Sequence, residues 1–259
     1  MPVHPSAIVD PAASIHPDAE VGPFCVVGPE VEIGARTRLM AHMWVEGPTT
    51  IGEDNLFYPY SSVGAASQDL KYRGERAFTR IGNRNTIREF VTVHRGTVGG
   101  GLYTTIGDDC LVMTYAHVGH DCTIGDHVIL GNCVGLSGHV TVQDWVDLAP
   151  YSGVHQFCRI GRHAFVGPYS VIKQDVMPFS LTSHQPEVQV FGANAIGLSR
   201  RGFEKASIES LQTALRLLTR AGLNTSQAVE RIREEVTMTP EVEELLAFIA
   251  SSERGVIKG

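Results

Sequence analysis

The sequence predicts a mainly β protein: a left-handed parallel β-helix of hexapeptide repeats followed by a small C-terminal α-helical domain. Aliphatic residues or phenylalanine recur at every sixth position through most of residues 3–172. Neither an α-helix nor a single strand has this period, whereas a coil with three short flat sides does. The repeat positions are Val3, Val9, Ile15, Val21, Val27, Ile33, Leu39, Val45, Ile51, Phe57, Val63; Ile81, Ile87, Val93; and Ile106, Val112, Val118, Ile124, Leu130, Leu136, Val142, Leu148, Val154, Ile160, Val166, Ile172.

Three hexads make one coil of 18 residues, and coils stack as parallel strands about 4.8 Å apart, which predicts a prism roughly 45 Å long. Glycine follows many repeat residues, such as Gly22 and Gly34, and predicts corners with an unusual backbone angle. Residues 64–80 and 94–105 break the repeat. We expect both to be loops that leave the prism, where functional residues often lie.

The repeat ends near Pro178, so we assign residues 1–178 to the β-helix. Residues 179–196 show no clear period and are expected to form a connector. From residue 197 to 259 the pattern turns helical, with stop or cap signals at Gly222, at Asn224 or Thr225, and at Thr239. This domain is too small for a large core of its own, so we expect it to pack on the prism or on another subunit.

Composition excludes several classes of protein. The net charge of -7 argues against a general affinity for nucleic acid. The chain has no apolar run long enough to span a membrane, and we expect no secretory signal, because the N-terminal residues lack a basic region followed by an apolar one. Four of its five cysteines share one position in the hexad, where we expect buried thiols and a reducing, cytoplasmic environment. They are Cys25, Cys110, Cys122 and Cys158.

Stacking of the coils predicts a cluster of histidines on one surface patch. Residues 18 apart lie one above the other, so His120 lies beneath Gly138, and Gly138 lies beneath Gln156. The neighbouring columns add further polar side chains at the same height. The predicted patch contains His117, His120, Asp121, His139, His155 and Gln156.

This patch has the residue types of a general-base site. A histidine with a pKa near neutral can take a proton from a sugar hydroxyl. Asp121 could orient the ring of His120, either directly or through a backbone atom. The N–H of Gly138 is open to close approach and suits an oxyanion donor.

Other interpretations of the same residues remain open. Each histidine alone could be a solvated surface residue. Some proteins of this fold bind zinc through three histidines from two subunits, as in a zinc hydratase, but the spacing of His117 and His120 differs, and we expect no metal. A basic stretch on this acidic protein is either a solvated helix face or a dock for an acidic carrier or a diphosphate. It consists of Arg200, Arg201, Lys205, Arg216 and Arg220.

The chain resembles the UDP-N-acetylglucosamine O-acyltransferases, hexapeptide-repeat enzymes that begin lipid A biosynthesis in Gram-negative bacteria. The resemblance covers nearly the whole chain. Its motifs are Val21-Gly22-Pro23-Phe24-Cys25, Gln68-Asp69-Leu70-Lys71-Tyr72, Val93-His94-Arg95-Gly96-Thr97, Ala116-His117, His120-Asp121-Cys122, Gly138-His139-Val140, Val154-His155-Gln156-Phe157-Cys158 and Arg200-Arg201-Gly202-Phe203.

The resemblance implies a homotrimer with active sites in clefts between neighbouring prisms. A 3-hydroxyacyl chain would pass from the 4'-phosphopantetheine thioester of acyl carrier protein to the glucosamine 3-hydroxyl of UDP-N-acetylglucosamine, without a further cofactor. It implies that His120 is the general base, Asp121 its partner and Gly138 the oxyanion donor. Residues implied to hold the sugar or the acyl-pantetheine are Asp69, Lys71, His94, His117, His139, His155 and Gln156. Residues implied to lie near the nucleotide and the carrier are Asn194, Arg200 and Arg201.

The chain departs from the family pattern at three places, one of which is the connector segment Ser183-His184-Gln185-Pro186-Glu187. Many relatives have Gly-Gly where this chain has Gly167-Pro168, in the region resembling the family's acyl-chain ruler, so we expect Pro168 to shorten the preferred chain. Ile196 stands where a carboxylate often lies near the nucleotide, which leaves a 3-amino sugar open as the acceptor. The later N-acyltransferase of the pathway usually carries an extra N-terminal domain, whereas here the repeat starts at Val3. A non-enzymatic scaffold or carrier-protein binder also remains open.

Overall fold

The computed structural model describes residues 3–184 and 187–258, and it consists of a three-sided prism with a helical domain at its C-terminal end. Each hexad forms one short strand on one side of the prism. The strands are β1 (Ile8–Val9), β2 (Ser14–Ile15), β3 (Glu20–Val21), β4 (Val26–Val27), β5 (Val31–Ile33), β6 (Arg38–Leu39), β7 (Trp44–Val45), β8 (Thr49–Ile51), β9 (Leu56–Phe57), β10 (Ser62–Ala65), β11 (Phe78–Ile81), β12 (Thr86–Ile87), β13 (Thr92–His94), β14 (Tyr103–Ile106), β15 (Leu111–Val112), β16 (His117–Val118), β17 (Thr123–Ile124), β18 (Ile129–Leu130), β19 (Gly135–Leu136), β20 (Thr141–Val142), β21 (Asp147–Leu148), β22 (Gly153–Val154), β23 (Arg159–Ile160), β24 (Phe165–Val166) and β25 (Val171–Ile172).

Every third strand belongs to the same sheet, and these strands pair in parallel, which confirms the predicted left-handed β-helix. Taking every third strand, the first sheet runs from β1 to β25 and includes β4 and β16. The second sheet runs from β2 to β23, and the third runs from β3 to β24. The register in the upper coils is 18 residues: His117 is opposite Gly135, and Gly135 is opposite Gly153. Residues 18 apart in the sequence are therefore aligned in columns along the prism.

The repeat aliphatics fill the interior of the prism. Phe57, Leu130 and Val166 are each fully buried. The four cysteines at the shared hexad position are also buried and free, as predicted. Burial raises the pKa of Cys110 to about 12, so this thiol packs as a small apolar group.

The corners differ from the sequence expectation. Glycines such as Gly22 and Gly34 do not supply the left-handed angle; from Phe24 onward that angle belongs to the second residue of most tight corners, as at Asp121 (φ 60°) and His139 (φ 62°). The glycine is needed for space instead. A Cβ on Gly34 would lie 2.6 Å from the carbonyl oxygen of Gly52 in the next coil.

Both predicted loops leave the prism, and they are shorter than the breaks in the repeat. The first lies between β10 and β11 and consists of residues 66–77. The second lies between β13 and β14 and contains a 3-10 turn, Val98–Gly100. The flanking residues pair with the coils above and below, which the aliphatic pattern alone does not indicate.

The segment expected to be a connector is ordered as a hairpin and a short helix. Strand β26 (Ser180–His184) extends the third sheet, β27 (Val188–Ala193) pairs with it antiparallel, and α1 (Ala195–Arg200) follows. The aliphatic period missed β26 because its inward residues are polar: Ser180 and Thr182 are fully buried. Residues 185 and 186 of the predicted connector lie outside the described residues.

The C-terminal domain contains α2 (Lys205–Arg220), α3 (Thr225–Glu235) and α4 (Pro240–Ala250). Asn224 and Thr239 cap the last two helices through side-chain oxygens, at positions that the sequence indicated. The domain packs on the prism of its own chain, where Arg162 pairs with Glu244. None of the helices in the described part of the chain combines the length and apolar character that a membrane crossing requires.

Candidate active site

A cleft of about 830 Å³ opens where the first loop approaches the corner that carries the histidines. Its lining includes every substrate-site residue predicted from the prism and from the loop, together with two members of the predicted catalytic set, His120 and Gly138. The predicted residues that line it are Asp69, Lys71, His94, His117, His120, Gly138, His139, His155 and Gln156. Stacking of the coils therefore brings together residues from five separate parts of the sequence.

His120 and Asp121 form a directly bonded pair. The Nδ1 atom of His120 lies 2.7 Å from Oδ2 of Asp121, so the orienting contact is made by the side chain and not by a backbone atom. The side chain of Asp121 is fully buried, whereas that of His120 remains 14% exposed. The histidine thus presents its other nitrogen to the cleft while its carboxylate partner is shielded from water.

The second loop surrounds the Asp121 carboxylate. The backbone N–H of Thr97 donates to Oδ1 (2.7 Å) and its hydroxyl donates to Oδ2 (2.7 Å). The backbone N–H of Asp121 donates to the hydroxyl of Thr104 at 2.8 Å. With the contact from His120, the carboxylate takes part in three hydrogen bonds, as a buried charged group requires.

Gly138 lies directly against the ring of His120. A Cβ at this position would come within 2.5 Å of both Nε2 and Cε1 of the imidazole, so glycine is the residue that permits the contact. Among the described residues the N–H of Gly138 donates to no backbone carbonyl. Proline occupies the equivalent corner position at Pro11 and Pro29, which shows that the coil does not use this N–H. The amide of Gly138 is therefore available to a ligand.

Three histidines close to His120 are biased toward the neutral form. Burial lowers the pKa of His94 to about 4, with nearby His117 and His120 acting in the same direction. Burial also lowers the pKa values of His117 and His139. His117 exchanges a hydrogen bond with the hydroxyl of Thr92 at 2.8 Å. Neutral imidazoles both donate and accept hydrogen bonds, which suits them to hold hydroxyl groups.

The first loop adds charge to the cleft. The backbone N–H of Lys71 donates to Oδ1 of Asp69 at 3.0 Å, and this bond, with smaller contributions from the Lys71 ammonium and the nearby imidazoles, lowers the pKa of Asp69. The loop therefore brings a carboxylate and an ammonium group to the side of the cleft opposite the prism.

Three donor atoms, from His120, Asp121 and His139, lie within 4.8 Å of one another and are close enough to share a metal ion. The carboxylate of Asp121, however, already engages both of its oxygens with Thr97 and His120. An ion would have to displace the bond to His120, so the arrangement favours a hydrogen-bonded pair.

Besides Asp121, which is buried and does not line the cleft, four predicted site residues lie outside it in the single chain. Asn194 accepts from the N–H of Gly197 at 3.2 Å and caps α1. Arg201 stacks over the ring of Trp145, with its guanidinium carbon 5.1 Å from the ring centroid. Arg200 and Pro168 are exposed. Their assignment to the nucleotide, the carrier and the acyl chain remains a prediction.

The structure adds residues that the sequence interpretation did not assign to the site. Gly135, Gly153 and Val171 continue the column of His117 along the cleft, and the 18-residue spacing would have found them. Thr97 belongs to the motif Val93-His94-Arg95-Gly96-Thr97, but no 18-residue spacing links it to Asp121, because it lies in the loop that interrupts the register.

Comparison with known proteins finds relatives of a single family along nearly the whole chain. A family model described as UDP N-acetylglucosamine O-acyltransferase, domain 2, matches residues 175–257, and a model of the bacterial transferase hexapeptide matches residues 103–138. An acyl-[acyl-carrier-protein]–UDP-N-acetylglucosamine O-acyltransferase of Xanthomonas campestris pv. campestris is 44% identical over 99% of this chain and 97% of its own. A protein of the same name from Xanthomonas axonopodis pv. citri is 42% identical over the same shares.

Solved structures give the same result. LpxA from Acinetobacter baumannii superimposes with a TM-score of 0.95 at 41% identity and covers 100% of both chains. The UDP-N-acetylglucosamine acyltransferase of Francisella novicida has a TM-score of 0.95 at 36% identity, covering 99% of this chain and 94% of its own. With this identity along nearly the whole chain, the protein belongs to the UDP-N-acetylglucosamine O-acyltransferase family.

Proposed function

We propose that the protein transfers a 3-hydroxyacyl chain from acyl carrier protein to the glucosamine 3-hydroxyl of UDP-N-acetylglucosamine, in the cytoplasm, as a step of lipid A biosynthesis. The observation that carries the proposal is the contact of His120 with both the Asp121 carboxylate and Gly138 inside a cleft of a chain from this family. The phosphopantetheine thioester is the donor, and no further cofactor is needed.

The hydrogen bond to Asp121 supports a general-base role for His120. A carboxylate accepts only, so Nδ1 carries the hydrogen and Nε2 keeps its lone pair. Nε2 removes the proton from the sugar hydroxyl while the hydroxyl oxygen attacks the thioester carbonyl carbon. The buried carboxylate stabilises the imidazolium that forms, as the acid of a Ser-His-Asp triad does.

Gly138 supports the second half of the reaction. The attack places negative charge on the former carbonyl oxygen, and the available N–H of Gly138 donates to it. Collapse of this intermediate breaks the carbon–sulfur bond, and the leaving thiolate takes the proton from Nε2. The products are the O-acylated sugar nucleotide and the free pantetheine thiol, and His120 is again neutral.

The homotrimer is supported by an exposed ladder of aromatic rings on another corner of the prism. Neighbouring rings stack with centroids 4.8–5.2 Å apart, and most of them are about half exposed. Exposed apolar stripes of this kind mark protein contacts. The ladder consists of Phe24, His42, Tyr60, Phe90 and Tyr115.

The proposal is tested by incubating the purified protein with UDP-N-acetylglucosamine and 3-hydroxyacyl carrier proteins of different chain lengths, followed by mass spectrometry of the nucleotide. His120→Ala should reduce kcat by about 10²–10⁴-fold, since a general base contributes this much. Its melting temperature and oligomeric state should match those of the wild type. Turnover retained in His120→Ala would overturn the assignment of the base, and preferential acylation of a 3-amino sugar would change the acceptor.

A further inference from the structure

The second loop departs from the hexad repeat at the point where it reaches the buried carboxylate of Asp121. Thr97 and Asp121 are 24 residues apart, and yet both hydrogen-bonding groups of Thr97 meet the carboxylate at 2.7 Å. One donor binds each carboxylate oxygen, so the contact determines both the position of the group and its rotation. The oxygen that receives the hydroxyl, Oδ2, is the same atom that contacts Nδ1 of His120.

The hydroxyl of Thr97 is free for this role because it does not cap its own turn. Thr97 precedes the 3-10 turn Val98–Gly100, where a threonine hydroxyl ordinarily accepts a hydrogen bond from a nearby backbone N–H. In this turn the side chain makes no such bond. The carbonyl of Thr97 accepts from Gly100 (3.2 Å) and Leu102 (2.9 Å) instead, which keeps the turn closed.

Gly100 completes the enclosure. A Cβ on Gly100 would lie 2.0 Å from Cγ of Asp121 and 2.3 Å from either carboxylate oxygen, so the backbone of the turn lies against the carboxylate. Thr97 itself is 7% exposed, and the Asp121 side chain is fully buried. Water therefore cannot replace the hydroxyl of Thr97 as a hydrogen-bond donor without displacement of the loop.

We propose that Thr97 is a positioning residue of the acyl transfer, which clamps the Asp121 carboxylate so that Oδ2 stays aligned with Nδ1 of His120. This proposal rests on the proposed function of His120 as general base. Its physical basis is that a carboxylate held at both oxygens cannot rotate away from the imidazole. The bond that the carboxylate makes to His120 holds the ring and the tautomer that leaves Nε2 free to accept a proton.

The test compares two substitutions at position 97. Thr97→Val preserves the shape and the backbone N–H but removes the hydroxyl, and we expect kcat to fall about 10- to 100-fold, the usual effect of removing a hydrogen bond to a buried charged group. KM for both substrates should stay within about twofold, because Thr97 does not touch them. Thr97→Ser preserves the hydroxyl and should restore most of kcat. Val98→Ala is the control, since Val98 is 64% exposed on the same turn.

A second measurement reports on the His120–Asp121 pair directly. In wild-type protein with ¹⁵N-labelled histidine, the Nδ1–H of His120 should give a downfield proton resonance, which is assigned by its loss in His120→Gln. Thr97→Val should shift or broaden this resonance, and Thr97→Ser should restore it. Thr97→Ala, which also retains the N–H, replaces the valine variant if the latter does not fold.

The outcomes separate this proposal from the proposed function. Wild-type kcat together with an unchanged resonance in Thr97→Val would overturn the clamp. A lower melting temperature with unchanged kcat and resonance would also overturn it, because that result indicates a purely structural role. If wild-type protein shows no acyl transfer, or His120→Ala retains it, the proposed function fails, whereas the resonance still reports whether Thr97 aligns the pair.

Discussion

The absence of a side chain at position 138 allows His120 to reach its working position. We expect Gly138→Ala to reduce kcat, because the new Cβ would come within 2.5 Å of the imidazole and displace a ring held by Asp121. The N–H of residue 138 is retained in this variant, so the loss would report on the ring. By analogy with other displacements at reacting groups, kcat should fall roughly 100-fold.

Asn132→Ala provides the matched control for this substitution. Asn132 occupies the same position of the preceding corner, away from the cleft. Both variants should melt near the wild-type temperature. A Gly138→Ala enzyme with normal turnover would contradict the role given to this close approach.

Single residues of the site differ in how far the sequence predicts them. His120, Gly138 and His139 follow from counting in steps of 18, because parallel stacking turns sequence spacing into distance. The direct contact between His120 and Asp121 could not be derived in this way, since neighbours in a chain usually point apart. Thr97 was visible only as part of the motif Val93-His94-Arg95-Gly96-Thr97, and its contact with Asp121 could not be derived, because a loop follows no register.

At the scale of elements, the column of β16, β19, β22 and β25 forms the floor of the cleft beyond His117. Gly135 and Gly153 have no heavy atom within 4 Å of where a Cβ would stand, and neither needs a positive φ. Nothing in the described fold explains these glycines sterically. Their open space suits an extended acyl chain along the prism, which ends at the exposed Val171.

We therefore expect Gly153→Val to lower turnover with long acyl donors more than with short ones. Valine suits a strand better than glycine does, so the free energy of unfolding should be equal or higher by up to about 1 kcal/mol, the difference in strand propensity. The melting temperature should therefore not fall. Turnover across a series of acyl chain lengths, with size-exclusion chromatography to follow assembly, provides the measurement. An equal effect on all chain lengths would place the acyl chain elsewhere, for example near Pro168.

The elements themselves were predictable where one signal dominated. Strands with aliphatic inward residues follow the period of six, and α3 and α4 begin at recognisable caps. The hairpin of β26 and β27 was not, because buried serine and threonine in β26 satisfy their hydroxyls within the fold and leave no apolar pattern. The period of six therefore does not predict a strand whose inward-facing residues are polar.

At the scale of the whole molecule, the sequence predicts one prism and one helical domain but not how they complete the site. Asn194, Arg200 and Arg201 lie outside the histidine cleft of their own chain. A role for them near the nucleotide requires a neighbouring protomer, and 18-residue spacing describes contacts within one prism.

Stability should decline on mild acidification, because the fold buries neutral histidines. Burial, reinforced by the adjacent Arg162, lowers the pKa of His163 to about 4, and His163 is 4% exposed. In the unfolded chain, His163 binds a proton below about pH 6.5, whereas in the folded protein it stays neutral until the pH approaches 4. Protonation of the unfolded chain at His163 therefore leaves the free energy of unfolding unchanged above about pH 6.5 and lowers it progressively as the pH falls toward 4.

His163→Phe should remove that dependence while keeping a ring between Trp145 and Phe179, whose centroids lie 6.0 and 5.8 Å from that of His163. Between pH 6.5 and 5 the variant should lose about 2 kcal/mol less unfolding free energy than the wild type. Urea denaturation at a series of pH values measures this difference, with His16→Gln at an exposed position as the control. Parallel pH profiles for wild type and His163→Phe would show that His163 does not resist protonation, and the acid sensitivity would then have to come from His94 and the carboxylates.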